Sequence, residues 1–556
     1  MKKHKKMSSM KRIIFSLSVS ILILFIFKCF TRLYNAVDNF NLSLVLNKQF
    51  SDDTYSIYLH PLLCNIIGRL SDLLPFADVY LLVSNILLIM VVTILIYLIL
   101  DSSHDDIVKL FIIISIISVC FLLNIWNNNY TIHASLFSAT GLILMFSYVH
   151  DKEIWKCIVG IILLGIGCMW RIQGFMLIIP FIVLEIIADV CFDNERNIKV
   201  YVKPFLFLSI VIVGLVLTRF AVMKSDVYIN SVEYDRYRVK IQDYPVKQYS
   251  QVQDLNLDIT EIEYLAATNW SIFDTGKMNA DLFKLIARYS SVNAYQLSFK
   301  GVALALKDMF SVVWRQKSAL FGTFIYAFTV LYLLHSNRFP WYTILQSILC
   351  FVGSGIILLF FTIKGRSVFH VWLSVIVIDL IMISWILLHR RIIVCKKSKV
   401  VILITCILLL WNVGFKYRDS DFKIPQFAIC SRVDNHIKVF DETVNNTDIY
   451  IWGEWHKEIT QYYMSKGKLP TSEFMKHNIS AGDWTYGQVY FNNYLQALNI
   501  SNPALALIER DDVYLVSKDC EFVLRYLQEC YDENITVNQV KTVKGVPVWK
   551  FDNYKK

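Results

Sequence analysis

Charge is scarce in this chain. Lys, Arg, Asp and Glu make up 18% of its 556 residues, against about 25% in soluble globular proteins, and this deficit excludes an ordinary water-soluble fold. Metal-ligand spacings are lacking too: there is no CxxC and no His-rich run, which removes the usual structural zinc sites. No P-loop, no Rossmann glycine fingerprint and no Ser/His/Asp arrangement is recognisable, so nucleotide binding and triad hydrolysis have no footing. Internal repeats and low-complexity linkers are also missing, which weighs against the repeat-built transporters.

Apolar residues take the place of charge. They account for 56% of the chain and raise the mean hydropathy to +0.47. A helix needs about 20 mostly apolar residues to cross a bilayer. Segments 13–30, 78–100, 107–124, 131–149, 154–169, 174–190, 204–223, 318–335, 341–363, 368–388 and 399–415 qualify, roughly eleven in all, with 154–169 and 174–190 short enough to form one broken hairpin. The sequence therefore predicts an all-α polytopic membrane bundle with a small C-terminal α/β or α+β domain.

The net charge of +10 is explained by where it sits. Basic residues crowd the N-terminus and return at Lys152/Lys156, Arg196/Lys199/Lys203, Arg338 and 390–399. With a cytoplasmic N-terminus every one of these groups falls on the cytoplasmic side, as the positive-inside rule requires, and no nucleic-acid partner is called for. Segments 32–77, 224–317 and 416–556 then lie outside, and the C-terminus is extracytoplasmic. No small-residue cleavage site follows the first apolar run, which reads as a retained helix. Of the twelve cysteines, only Cys430, Cys520 and Cys530 fall in the outside tail, where a disulfide and free thiols are both open.

The membrane domain spans 1–418 and the tail domain 419–556. Within the first outside loop, residues 59–75 place Leu59, Leu62, Leu63, Ile66, Ile67, Leu70, Leu73 and Leu74 on one helical stripe, with Asn65, Arg69 and Asp72 opposite. This predicts an amphipathic helix lying in the outer interface. The insertion 224–317 has little periodicity before a second interfacial helix at 296–313. In the tail, strands at 448–452, 513–516 and 546–551 alternate with helices at 454–465 and 519–531.

Several ionisable residues are candidates for chemistry. Asp38 stands just outside the first apolar run, where partial desolvation moves a carboxylate towards general-base range; the plain alternative is a polar helix end. Asp52 and Asp53 compete for that role, and a divalent metal on this pair stays open. No other cofactor is indicated. Arg171, between two apolar runs, suits a phosphate or simply snorkels to the interface. Arg366, on a short outside turn against the charge trend, implies either a bound anion or a salt bridge to the long loop. In the insertion, Arg238, Asp243, Trp270 and Asp274 mix charge with aromatics, as sugar recognition and internal ion pairing both do.

Taken together, these features resemble the GT-C superfamily of polytopic membrane glycosyltransferases, which use polyprenyl-phosphate sugars. Asp38 is similar in placement to the family's catalytic acid. His60-Pro61-Leu62-Leu63 resembles its His-Pro-Pro-Leu-like element, without the second proline. Thr131–Leu144, the surroundings of Arg171, Arg238-Val-Lys-Ile-Gln-Asp243-Tyr-Pro245 and Gly365-Arg366 resemble segments of bacterial members. Asp38 is followed by Asn39 where the family commonly pairs acids, which keeps Asp52 and Asp53 in play. The resemblance covers about two-thirds of the chain. It implies a lipid bilayer, a polyprenyl-phosphate sugar donor and a glycan, lipid or protein acceptor as partners. It further implies Asp38 as base and His60, Arg171, Arg238, Asp243 and Arg366 as substrate-binding residues. The competing readings are a polysaccharide polymerase or ligase, which would use paired arginines such as Arg236 and Arg238, and a lipid-linked glycan transporter.

Overall fold

The computed structural model describes residues 8–30, 37–122, 129–192, 198–255, 258–315, 317–337, 339–366, 369–389, 394–419, 447–453, 455, 459–460, 463, 469–543 and 546–553. Its first part is a helical bundle. Eight helices are long and apolar enough to cross a membrane, and two further apolar helices, Ile154–Trp170 and Phe321–Ser336, are shorter. These are the features of a multi-pass membrane protein.

Burial separates the centre of the bundle from its rim. The membrane-length window of α6 (Tyr130–Asp151) is 94% buried and that of α17 (Phe369–His389) 89%, whereas that of α10 (Lys199–Met223) is only 6% buried. The rim helix α10 leaves Val202, Leu206, Ile210, Val213 and Leu217 exposed, an apolar surface that needs lipid rather than water. At the centre, α6 and α7 (Ile154–Trp170) meet backbone to backbone. A Cβ at Gly141 would lie 2.8 Å from the Gly160 carbonyl oxygen, and one at Gly160 would lie 2.9 Å from that of Gly141. Such close approach of small residues is how membrane helices gain dispersion contacts when lipid competes for apolar surface. Asp379 of α17 is buried beside Ser354 of α16 (Trp341–Ile363), and neither its Oδ1 nor the Ser354 hydroxyl has a hydrogen-bond partner among the described residues.

Connections sort to two ends of the bundle. At one end, Arg12 of α1 (Ser9–Phe30) pairs with Asp101 of α4 (Val79–Asp101), and His104 bonds the Leu387 carbonyl at 3.0 Å. At the other end lie α2 (Val37–Leu46), α3 (Pro61–Leu73), the insertion and the tail domain. Helix α3 has three faces: Leu63, Cys64 and Ile67 are buried, Leu62, Ile66 and Leu73 are exposed, and Asn65, Arg69 and Asp72 form the polar side. It therefore carries an apolar outer face beside a polar one, as a helix at an interface does.

The insertion is more ordered than its weak periodicity implies. It forms α11 (Ile229–Gln242), α12 (Glu261–Thr268), α13 (Ala280–Ser290) and α14 (Phe299–Arg315). Its charged helices gain stability from capping and packing: Thr260 and Glu263 form a capping box at the start of α12. Helix α14 exposes Phe299, Phe310 and Trp314 and matches the second interfacial helix of the sequence reading.

The tail folds around a five-stranded mixed sheet in the order β2-β1-β3-β5-β4, where β1 is Ile449–Trp452, β2 Asn478–Ser480, β3 Val513–Val516, β4 Ile535–Val543 and β5 Val546–Asn553. β1 pairs in parallel with β2 and β3, while β5 runs antiparallel to β3 and β4. Strands β2 and β4 go beyond the three that alternation predicts, and the predicted helix 454–465 falls mostly outside the described residues. Cys520 and Cys530 are both free; Cys430 lies outside the described residues. The tail is seated on the bundle through aromatic contacts. Phe50 packs against Tyr490, Phe491 and Tyr494, and Phe40 of α2 stacks on Tyr463 at 6.1 Å.

Candidate functional site

Arg171 is the extended residue (φ −165°, ψ 114°) that separates α7 from α8 (Ile172–Met176). The break turns its guanidinium into a pocket of aromatic rings, 4.4 Å from the centroid of Tyr130 and 5.8 Å from that of Tyr58. Its Nη1 donates to Thr131 Oγ1 at 2.6 Å, its Nε has no partner, and the residue is 8% exposed. Among the described residues no carboxylate forms an ion pair with it. A desolvated cation held by rings and one hydroxyl is only partly compensated, and a bidentate anion would complete its hydrogen bonding.

The other two arginines are already engaged. Arg238 on α11 is 1% exposed; it pairs with Asp235, donates to Gln242 Oε1 at 3.1 Å and to the Tyr58 hydroxyl at 2.9 Å, and lies 4.9 Å from the Trp270 ring centroid. Tyr58 in turn donates to Asp235 at 3.0 Å. Burial, then the Asp235 carboxylate, push the Tyr58 phenol well above its usual range. Every nitrogen of Arg238 is thus committed within the protein, and its part is to fasten the insertion to the first loop. Arg366 donates to Asp243 Oδ2 at 3.0 Å and to the Tyr244 hydroxyl at 3.2 Å. Of the two explanations for its placement, the salt bridge to the long loop is the one found, and Asp243 is its partner. Gly365, at φ +79°, makes the turn that allows this; a Cβ there would meet Pro245 at 2.6 Å. The unpartnered Nε of Arg366 remains, and both Arg171 and Arg366 act electrostatically on His370.

Asp38 occupies the first turn of α2, where the helix N-terminus favours a negative charge. The rest of α2 is anchored by Phe40, Leu42, Leu44, Val45 and Leu46, all buried. Asp38 lies in the wall of a cavity of ≈ 570 Å³ that is shared with Trp270 of the insertion and with Asp483, Trp484, Asp519 and Phe522 of the tail domain. Its carboxylate acts on Tyr58, Tyr80 and Tyr130, and Arg171 acts on Tyr80 and Tyr130 as well. Acid and guanidinium thus share the same neighbours. The sequence reading missed the tail residues of this wall because no spacing rule connects positions 38, 270 and 484. Asp235 was findable, since it stands three residues before Arg238 on one helix face.

The remaining candidates take structural positions. Asp53 accepts from the Tyr228 hydroxyl and from the Tyr55 N–H, both at 2.9 Å, tying the first loop to the start of the insertion. Asp52 is exposed. His60 is the N-cap of α3: Nδ1 accepts from the Leu62 N–H at 3.2 Å and Nε2 meets the Leu215 carbonyl at 2.8 Å. Both ring nitrogens have partners within the protein, and burial lowers the pKa of this imidazole. Asp274 joins insertion to tail, accepting from Tyr526 at 2.9 Å, Tyr531 at 2.5 Å and Asn502 at 2.8 Å. Among the described residues no three His, Cys, Asp or Glu side chains gather as metal ligands. Comparison with known proteins finds no matching family model, no matching curated protein and no matching solved structure.

Proposed function

We propose that this chain is a membrane glycosyltransferase that moves a sugar from a polyprenyl-phosphate donor to a glycan, lipid or protein acceptor at the outer face of the membrane. The observation that carries this reading is an acid in a cavity wall and a buried guanidinium with no carboxylate partner among the described residues, both at one end of an apolar bundle. A lipid-linked phosphate has its head at that depth and its tail in the bilayer. Counting α5 (Asp106–Leu122), α7 and α15 (Lys317–Ser336) as crossings gives eleven helices that span. With the basic end at 12, 152–156, 199–203 and 396–399 inside, insertion and tail lie outside.

The chemistry is a single displacement. The acceptor hydroxyl loses its proton to Asp38 as its oxygen bonds to the anomeric carbon. The bond between that carbon and the phosphate oxygen breaks, and the anomeric centre inverts, as in single-step carboxylate mechanisms. Arg171 meets the charge that collects on the departing polyprenyl phosphate, and Arg366, paired with Asp243, adds a second guanidinium that acts on the same His370. The test is transfer of radiolabelled sugar by purified protein in lipid across a panel of polyprenyl-phosphate donors. Product with inverted configuration supports the reading; no transfer from any donor rejects it.

A further inference from the structure

We propose that the cavity between the insertion and the tail domain binds a saccharide without negative charge, so that the tail domain selects the acceptor. The proposal rests on the glycosyltransferase reading only in calling this saccharide the acceptor.

Three observations converge on the cavity. First, its volume of ≈ 570 Å³ falls within the roughly 300–1,000 Å³ of small-molecule sites. Second, it has two tryptophans in different states. Trp270 is 36% exposed and sits at φ +62°, a conformation a bulky side chain rarely adopts, with Arg238 stacked 4.9 Å from its ring. Strain of this kind persists where the surroundings impose it and marks functional positions. Trp484 is 3% exposed, is held edge-on by Tyr58 at 4.8 Å, and has no partner for its indole N–H. A buried indole donor beside a cavity calls for an acceptor oxygen.

Third, the cavity is acidic. Asp38, Asp483 and Asp519 line it, and among the described residues no Lys, Arg or His does. One oxygen of Asp483 receives the Thr485 N–H at 2.7 Å, and one of Asp519 receives the Glu521 N–H at 2.9 Å. Their second oxygens have no partner among the described residues. Carboxylates only accept hydrogen bonds, and sugar hydroxyls donate them. An aromatic face takes the apolar face of a pyranose. A uronic acid or a phosphorylated sugar would meet like charge in a part-buried site and be rejected. A lysine-bearing peptide also fits carboxylates and rings, but its ammonium groups offer Asp38 no hydroxyl.

The experiment is binding of the full-length protein in detergent to a printed array of neutral, amine-bearing, carboxylated and phosphorylated oligosaccharides, with a lysine-rich peptide alongside. Retention of neutral or amine-bearing glycans is expected, weakened at least tenfold in Trp270→Ala and restored in Trp270→Tyr. Asp519 is exposed, so Asp519→Lys tests the charge argument without burying a new cation; it should shift retention towards carboxylated glycans at least tenfold. Preference of the wild type for anionic glycans or for the peptide, retention of nothing, or indifference to both Trp270→Ala and Asp519→Lys overturns the proposal. Wild type that binds neutral glycans but transfers no sugar rejects the catalytic reading alone. Transfer to a carboxylated glycan rejects this proposal alone.

Discussion

At the scale of single residues, the site is defined by which charges are already matched. Arg238 and Asp235 neutralise each other inside the protein, whereas Arg171 has rings and one hydroxyl. Arg238→Met therefore strands a nearly buried carboxylate and should destabilise the insertion by about 3–5 kcal/mol. Arg238→Met combined with Asp235→Leu should recover much of that loss. Thermal unfolding of the three variants in detergent checks this; an unaltered midpoint for Arg238→Met would contradict it. Arg171→Gln, in contrast, should leave the midpoint near wild type and reduce transfer by roughly 10²–10³. Glu263 gives a pH signature. Burial alone would raise its carboxyl, but Lys277 at 2.8 Å and the Thr260 N–H and hydroxyl outweigh burial and hold it below the usual range. A depressed folded pKa gives stability that is fully present above about pH 4.3 and lost as pH falls through the lower folded value. Lys277→Met should be less stable at neutral pH and should lose less between pH 5 and 3, read from unfolding midpoints across that range.

At the scale of elements, α3 carries the clearest test of the membrane surface. Ile66 and Asn65 are adjacent and both exposed, one on its apolar and one on its polar side. A nitroxide on Ile66→Cys should collide with oxygen dissolved in lipid, and one on Asn65→Cys with a water-soluble nickel chelate. Equal exposure of both to the chelate would place α3 in water. This helix was legible from spacing because one stripe period decides burial. The tail strands β1, β3 and β5 were legible as short runs rich in β-branched and aromatic residues. The insertion was not: α11 carries Glu233, Asp235, Arg236, Arg238 and Lys240, and its helix is stabilised by partners on other segments, which periodicity cannot register. The capping role of His60 was hidden likewise, since its second partner is the carbonyl of Leu215 on a distant helix. Arg171 and Asp38 could be named from position alone; the cavity joining Asp38 to Trp484 needed the fold.

At the scale of the whole molecule, the two ends of the bundle differ in charge and in content. One end bears the basic groups, and the other bears α3, the insertion and the tail. Cys395 lies exposed at the basic end, and the Ser398 hydroxyl bonded to its sulfur lowers its thiol pKa. A membrane-impermeant maleimide should modify Cys395 in inside-out vesicles and spare it in intact cells, while Lys518→Cys in the tail should show the reverse pattern. The opposite result would invert the proposed orientation. The central claim is that an acid in the wall of the outer cavity removes the proton from an acceptor hydroxyl. The most direct measurement is sugar transfer from polyprenyl-phosphate donors by purified wild type, Asp38→Asn and Asp53→Asn, each with its unfolding midpoint recorded. The account predicts that Asp38→Asn stays folded and loses about 10²–10⁴ in rate while Asp53→Asn keeps turnover; folded Asp38→Asn that transfers at the wild-type rate would contradict it.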